Sequence, residues 1–236
     1  MATRHKFKAA PLDKGLSADW NDDHHFDPTD EVDWSTDFVN EAFDDVWDDS
    51  QCSGGGDVGA SLTDNHLFAD VDSGAGVGDI ASMQKISGLG VGDFTNKLDL
   101  PVLTMAVKIE DPTGAGNTHE FGFFRSADTP FTANQRGIYF RIAGGKLYAV
   151  TGDGANEEAN DITPAVFAIN KYMVLRIEVG STAVYFYVDD LVTYECGNTT
   201  HIPTENLTIK LSTIGIAAGA NILRSDFIGL SRLRKK

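Results

Sequence analysis

The sequence predicts an all-β fold, an antiparallel β-sandwich, from two observations. Apolar and polar residues alternate with a period of two in several segments after residue 100, and turn-forming residues separate these segments. Successive side chains of a strand point to opposite faces, so this alternation is typical of strands with one face on a core and one on solvent. No credible long helical segment lies between them. We therefore expect short antiparallel strands packed as two sheets.

Four segments carry the alternation most clearly. In residues 173–179, for example, Met173 and Leu175 face one way while Arg176 and Glu178 face the other. The same pattern occurs in VLTMAVKIED (102–111), AVYFYVDD (183–190) and NLTIKLS (206–212). Each segment is predicted to be one strand.

Two short connections predict β-hairpins. Gly144-Gly145 joins GIYFRIA to KLYAV, and both central residues of such a two-residue turn need a positive φ, which glycine adopts freely. Asp189-Asp190 joins YFYV to LVTYE in the same manner. Strands that follow each other through tight turns are antiparallel neighbours.

The 236 residues are enough for one substantial domain, which we place at residues 31–236. Residues 1–30 are predicted to form an extended arm, because they hold few apolar residues and cannot offset the entropy of ordering themselves. Residues 31–100 are the least regular part. The stretch from Gly74 to Gly92, rich in glycine and small residues, is predicted to form loops between short strands.

The charge distribution excludes several partners. The net charge of −16 argues against nucleic acid, which requires a basic face. No run of about 18 apolar residues exists, so membrane insertion is not expected. The start has no apolar region of a secretory signal, so synthesis in the cytoplasm without a signal peptide is expected. Thirteen acidic residues and no Lys or Arg lie between Asp19 and Asp49. They form either a solvated acidic face or a segment that docks on neighbouring copies or on a partner.

No metal or other cofactor is predicted. Cys52 and Cys196 are favoured as free thiols, although one long-range disulfide stays open. The histidines lack zinc-type spacing. The loop of residues 152–158 is rich in oxygen ligands but fits no EF-hand register, which favours a solvated loop over a calcium site.

The segments from about residue 94 to 234 resemble the concanavalin A-like lectin/glucanase jelly roll. The resemblance rests on the succession LPVLTMAVKIE, HEFGFFRS, GIYFRIAGGKLYAVTGDG, MVLRIEVGSTAVYFYVDDLV and LRSDFIGLSRL. Its most specific element is a pattern like F-Y-V-D-G-x-L-V, in which Asp190 replaces the glycine. Versions of this fold occur in bacteriophage structural proteins.

The arm carries a second resemblance. RHKF (residues 4–7) and ADWNDDH (residues 18–24) are similar to segments that open many phage tail-fibre and other virion proteins. This resemblance implies an arm that docks to a capsid, neck or tail protein. Alternatively, Trp20 packs in a local turn against the sandwich. The predicted docking residues are Arg4, His5, Lys6, Phe7, Trp20, Asn21 and His24.

The two resemblances together predict a structural component of a tailed-phage particle, homo-oligomeric and located in the virion, as capsid decoration or as a tail or fibre part. Enzymatic activity is not expected. Related glucanases carry a motif like E-x-D-x-E, and Glu31-Val32-Asp33 begins that way. Ser35 and Thr36 stand where the second glutamate should be. No catalytic residue is therefore predicted.

A carbohydrate-binding module for host recognition is the alternative function. Lectin-like jelly rolls stack sugars on exposed aromatic side chains, and Tyr139, Tyr148, Tyr185 and Tyr187 lie on predicted strands. Tyr185 and Tyr187 are the candidate sugar-stacking residues, because they face away from the apolar positions of their strand. The opposing interpretation is that tyrosine simply suits a half-exposed sheet surface. Host glycans are thus a possible partner.

Overall fold

A computed structural model describes most of the chain from residue 32 onward. The predicted arm, residues 1–30, lies outside the described residues. The described residues are 32–36, 47–48, 51–63, 66–87, 90–91, 95, 100–110, 117–133, 135–164, 170–197, 199–216 and 221–232.

The described residues form strands and one short 3-10 helix (Thr199–His201). No helix among them is long and apolar enough to cross a membrane. The strands are β1 (Val32–Thr36), β2 (Trp47–Asp48), β3 (Asp57–Thr63), β4 (His66–Asp72), β5 (Ile80–Ser87), β6 (Gly90–Val91), β7 (Pro101–Glu110), β8 (Thr118–Phe124), β9 (Arg136–Ala143), β10 (Lys146–Asp153), β11 (Glu157–Asp161), β12 (Met173–Val179), β13 (Val184–Val188), β14 (Leu191–Cys196), β15 (Thr208–Ile214) and β16 (Ile222–Arg232).

The strands make two antiparallel sheets. Sheet A has the order β14-β13-β12-β7-β16-β4-β3, with β1 also paired to β16. Sheet B has the order β11-β10-β9-β8-β15-β5-β2, with β6 paired to β5. This arrangement confirms the predicted all-β antiparallel sandwich.

The core lies between the two sheets, where the inward side chains of both meet. The Phe140 ring of sheet B meets the Phe186 ring of sheet A edge to face, with centroids 5.3 Å apart. Phe121 stacks beside Phe140 at 5.9 Å. All three are fully buried. Aromatic pairs of this geometry add to the stabilisation that burial of their area provides.

Both predicted hairpins are confirmed. Gly144 and Gly145 have φ values of 58° and 73°, and Asp189 and Asp190 have 49° and 65°. Positive φ at both central residues matches the right-handed twist of the flanking strands. At the second turn, Asp189 Oδ1 also accepts a hydrogen bond from the Val174 backbone N–H, at 3.0 Å. That bond ties the turn to β12.

The segment of residues 57–87 differs from the prediction, because it contains three full strands, β3 to β5. In β5, Ala81 and Met83 enter the core while Ser82 and Gln84 occupy the opposite face, and all four are buried. Apolar and polar residues do alternate along β5. The contrast is weak, however, because the core-facing residues include the small Ala81 and the outward polar residues are also buried.

The two cysteines are free thiols, as favoured from the sequence. Cys52 is partly buried and Cys196 is buried. The Cys52 sulfur accepts a weak hydrogen bond from the Ser82 N–H at 3.4 Å, which places it beside β5.

Candidate functional site

A polar network occupies the outer face of sheet B, the face turned away from sheet A. Strand register brings Glu120 of β8, Arg141 of β9, Tyr148 of β10 and Asp161 of β11 into one transverse row on this face. Their sequence neighbours, such as Phe121 and Phe140, point into the core. We call the group Glu120, Gln135, Tyr139, Arg141, Tyr148 and Glu157 the Arg141 site.

Arg141 is held between two carboxylates. Its Nε donates to Glu120 Oε1 at 2.8 Å. Its two terminal nitrogens donate to the two oxygens of Glu157, at 2.6 and 2.8 Å. The second of these nitrogens is also 2.8 Å from the Tyr139 hydroxyl oxygen. Charge-assisted, bidentate bonds of this kind fix the plane of a guanidinium.

Two glycines make room for Tyr139 above the sheet. A Cβ on Gly122 would lie 2.8 Å from the Tyr139 Cβ, and one on Gly137 would lie 2.9 Å from its Cδ1. The ring instead lies against Phe124, with centroids 4.5 Å apart. Tyr148 packs on this pair and on Val150, which form a small second apolar cluster. The polar network therefore borders an aromatic surface.

The turn before β11 places Glu157. Asp153 Oδ1 accepts the backbone N–H groups of Ala155 and Asn156, at 2.8 and 2.7 Å. The chain then enters β11 with Glu157 opposite Gly152, on the outer face. Among the described residues, no group of three His, Cys, Asp or Glu is arranged to hold a metal ion.

The charged forms of Arg141 and Glu157 are favoured in the network, and Tyr139 stays neutral. Burial disfavours the charged form of Arg141, but its bonds to Glu157 and Glu120 outweigh that effect and raise its pKa. Burial also opposes the charge of Glu157, yet the hydrogen bond and charge of Arg141 hold the pKa of that carboxyl below its usual range. Burial and the nearby Glu120 raise the pKa of Tyr139, so its hydroxyl stays protonated.

The site is buried at one end and open at the other. Glu120 is 1% exposed, whereas the side chains of Arg141 and Glu157 are 21% and 26% exposed. Gln135 closes the buried end by donating from Nε2 to Glu120 Oε2 at 2.7 Å. The buried Oε1 of Gln135 has no hydrogen-bond partner among the described residues. Tyr148 is partly exposed at the open end.

The two tyrosines predicted to stack on sugars lie elsewhere, on the outer face of sheet A. The Arg176 guanidinium sits 4.0 Å from the Tyr187 ring centroid, and the Tyr187 hydroxyl donates to Glu178 Oε2 at 2.7 Å. Arg176 thus covers one face of that ring. Tyr185 pairs with Glu178 across the strands and is partly exposed. Sugar stacking at Tyr185 and Tyr187 stays a prediction, and the predicted docking residues of the arm lie outside the described residues.

The stretch that begins like a glucanase motif forms β1, at sheet A, and not a strand of sheet B. No described strand carries three carboxylates on one face at two-residue spacing. In central strand β8, Gly122 and Phe124 follow Glu120 on its face. The two carboxylates of the Arg141 site come from different strands.

Solved structures share this architecture. A Bacillus licheniformis β-glucanase is 11% identical and covers 85% of this chain and 98% of its own, with a TM-score of 0.63. A glycoside hydrolase family 16 endo-glucanase from Bacteroides ovatus is 10% identical, with 84% and 99% covered and a TM-score of 0.61. The VIP36 exoplasmic/lumenal domain, bound to Ca²⁺ and Man3GlcNAc, is 9% identical, with 84% and 87% covered and a TM-score of 0.58. The fold is a concanavalin A-like jelly roll.

At these identities the likeness is one of fold. No family model and no curated protein matches the sequence. Most of the similar structures are glucanases, laminarinases or other glycan-cleaving enzymes. This finding overturns the sequence-based prediction that the chain is not an enzyme, which is wrong because enzymes dominate this jelly-roll group.

Sequence reasoning missed most of the Arg141 site. From the sequence, Tyr139 and Tyr148 are recognised only as strand tyrosines and Glu157 only as part of the oxygen-rich loop of residues 152–158. Glu120, Gln135 and Arg141 carry no prediction. A signal was present, because Glu120 and Arg141 are charged residues inside otherwise apolar strands (HEFGFF and GIYFRIA). A charge in such a strand needs a partner, but only the strand register reveals which one.

Proposed function

We propose that this protein binds carbohydrate at the Arg141 site. The observation that carries the proposal is the partly exposed Arg141–Glu157 pair beside the Tyr148 ring, on an open part of a sheet face. Sugar hydroxyls pair well with fixed guanidinium and carboxylate groups, and the C–H face of a sugar ring packs on an aromatic side chain. An apolar wall with a few convergent polar groups is typical of small-molecule sites.

Two features support this proposal. The guanidinium is already oriented by Glu120 and Glu157, so a ligand would bind without ordering that side chain. Structures with the same fold include one bound to Man3GlcNAc, which makes a glycan a reasonable ligand.

The carboxylates of the site bear on bond cleavage as well as on binding. A retaining glycosidase uses two carboxyl groups about 5 Å apart, one of them protonated to act as the acid. Arg141 lowers the pKa of Glu157 and so favours its ionised form, in which it accepts hydrogen bonds. Because bond cleavage by such carboxylates would release reducing ends, the experiment measures that release together with glycan binding.

The test is a glycan array followed by titration calorimetry on the glycans that bind. Tyr148→Ala should weaken binding at least about tenfold, equivalent to about 1.4 kcal/mol, because it removes the aromatic wall. Leu191→Ala, at the exposed first residue of β14, is the matched control and should leave the affinity unchanged. Loss of binding in Tyr185→Ala and Tyr187→Ala but not in Tyr148→Ala would move the site to sheet A. Absence of any bound glycan would refute the proposal.

We further propose that this jelly roll is carried on a tailed-phage particle as a homo-oligomeric structural component, docked to a capsid, neck or tail protein. The support is in the sequence of the arm, where RHKF and ADWNDDH resemble the opening segments of virion proteins. Glycan binding by such a component would serve contact with the host surface.

A further inference from the structure

Lys210 of β15 is a fully buried lysine on the outer face of sheet B. Its ammonium donates to Gln51 Oε1 at 2.9 Å and to the backbone carbonyls of Asp128 and Ser126, at 2.9 and 3.4 Å. Lysine is almost never fully buried unless its charge is satisfied, because an ammonium out of water must replace its hydration with other oxygens. Here three oxygens do so.

Two of these oxygens belong to the loop between β8 and β9, which follows Phe124 and ends before Arg136. Gln51 reinforces the contact by donating from Nε2 to the same Ser126 carbonyl, at 3.0 Å. The ammonium therefore connects the sheet face to the first half of this loop.

The second half of the loop reaches the Arg141 site. Asp128 Oδ2 accepts the backbone N–H of Arg136 at 2.8 Å, and Asp128 Oδ1 accepts from the Arg136 guanidinium at 3.3 Å. Gln135, immediately before Arg136, donates to Glu120 Oε2. The other oxygen of Glu120 then accepts from Arg141 Nε. Hydrogen bonds and the peptide bond between Gln135 and Arg136 thus connect Lys210, through the loop and Glu120, to Arg141.

We propose that Lys210 is a positioning residue for the Arg141 site. The β8–β9 loop stays in one place because the buried ammonium cannot exchange its three oxygens for water. With the loop fixed, Gln135 occupies one oxygen of Glu120 and leaves the other aimed at Arg141. The effect on ligand affinity rests on the proposed carbohydrate binding, whereas the effect on the loop does not.

The experiment combines amide hydrogen exchange with glycan titration on the full chain. Lys210→Met should speed exchange at the amides of Asp128 and Arg136 at least about tenfold, since both are hydrogen-bonded at the base of this loop. Exchange at Phe140, in the middle of β9, should stay unchanged. Glycan affinity should fall about tenfold in parallel.

Chemical rescue separates positioning from a general packing defect. Lys210→Ala lacks three methylenes and the ammonium, so n-propylammonium should restore both slow exchange and affinity, while tetramethylammonium, which cannot donate hydrogen bonds, should not. Exchange and affinity within about twofold of the unaltered protein in Lys210→Met would overturn the proposal. If circular dichroism shows that the Lys210 variants are unfolded, Gln51→Leu decides. Faster exchange at Asp128 in that variant supports the positioning role, and unchanged exchange overturns it. An unaltered protein that binds no glycan refutes only the proposed function, because the exchange result still decides the role of Lys210.

Discussion

At the scale of single residues, the Arg141 site is a case of charges that stabilise each other on a sheet face. Glu120 is almost fully buried and Arg141 mostly so, and each would be costly alone. Glu157 completes the group from an edge strand, with two bonds from Arg141 and one from the Tyr139 hydroxyl. The open end of the group is where water, or a ligand with hydroxyl groups, reaches it.

The lowered pKa of Glu157 predicts how this residue contributes to stability. A carboxyl whose pKa is lower in the folded state stabilises the fold above its ordinary pKa of about 4.3, and the contribution is lost as pH falls through the lower folded value. Glu157→Gln keeps the shape without the charge. We expect it to lower the free energy of unfolding by about 1 kcal/mol at pH 7, discounted for partial exposure, and by progressively less as pH falls below about 4.3.

Urea denaturation at several pH values measures this difference. Glu195→Gln is the matched control, since Glu195 is exposed on edge strand β14 and its loss should cost about 0.5 kcal/mol or less at any pH. A Glu157→Gln effect that does not shrink as the pH is lowered from 7 to the acid limit of folding would contradict the assigned role of the charge.

At the scale of elements, the β13–β14 hairpin offers a matched pair of substitutions. Asp189 and Asp190 both have positive φ, which costs a non-glycine residue conformational energy. At Asp189 a hydrogen bond offsets this conformational cost, because the Asp189 carboxylate accepts it from the Val174 backbone N–H. Asp190 is exposed, and glycine occupies its place in the jelly-roll pattern that this sequence resembles.

Asp190→Gly should therefore stabilise the protein by up to about 1 kcal/mol, since Asp-Gly is a preferred pair for this turn. Asp189→Gly should destabilise it by about 1 kcal/mol through the lost hydrogen bond. Thermal unfolding of the two variants checks both signs. Equal effects of the two changes would show that the Asp189–Val174 bond contributes nothing.

The elements also show what the sequence could and could not predict. Strands such as β12 were predictable because large apolar residues alternate with charged ones and only one face meets the core. Strand β5 was not, because Ser82 and Gln84 are buried on the outer face and Ala81 contributes little contrast on the inner one. The Arg141 site was out of reach because β8, β9 and β11 each provide one charge. Their meeting depends on register, which no local pattern contains.

At the scale of the whole molecule, the two sheets present different surfaces. Sheet B carries the Arg141 site and sheet A carries Tyr185 and Tyr187, on opposite outer faces. At one edge the Tyr194 hydroxyl of β14 donates to Glu158 Oε1 of β11 at 2.8 Å, which ties sheet A to sheet B. The sandwich is thus joined by a polar contact as well as by its core.

The proposed attachment of this sandwich to a virion predicts a separation of folding from docking. Strand β1 begins at Val32 and pairs with β16, so removal of residues 1–30 leaves every described strand intact. We expect the truncated chain to unfold within about 4 °C of the full chain, because the sequence of the arm holds few apolar residues. It should not copurify with phage particles, since the predicted docking residues from Arg4 to His24 are gone. Full-length Tyr148→Ala is the control and should still join particles, because its change lies at the Arg141 site and not in the arm. Particles that incorporate the truncated chain as fully as the intact one would refute docking through the arm.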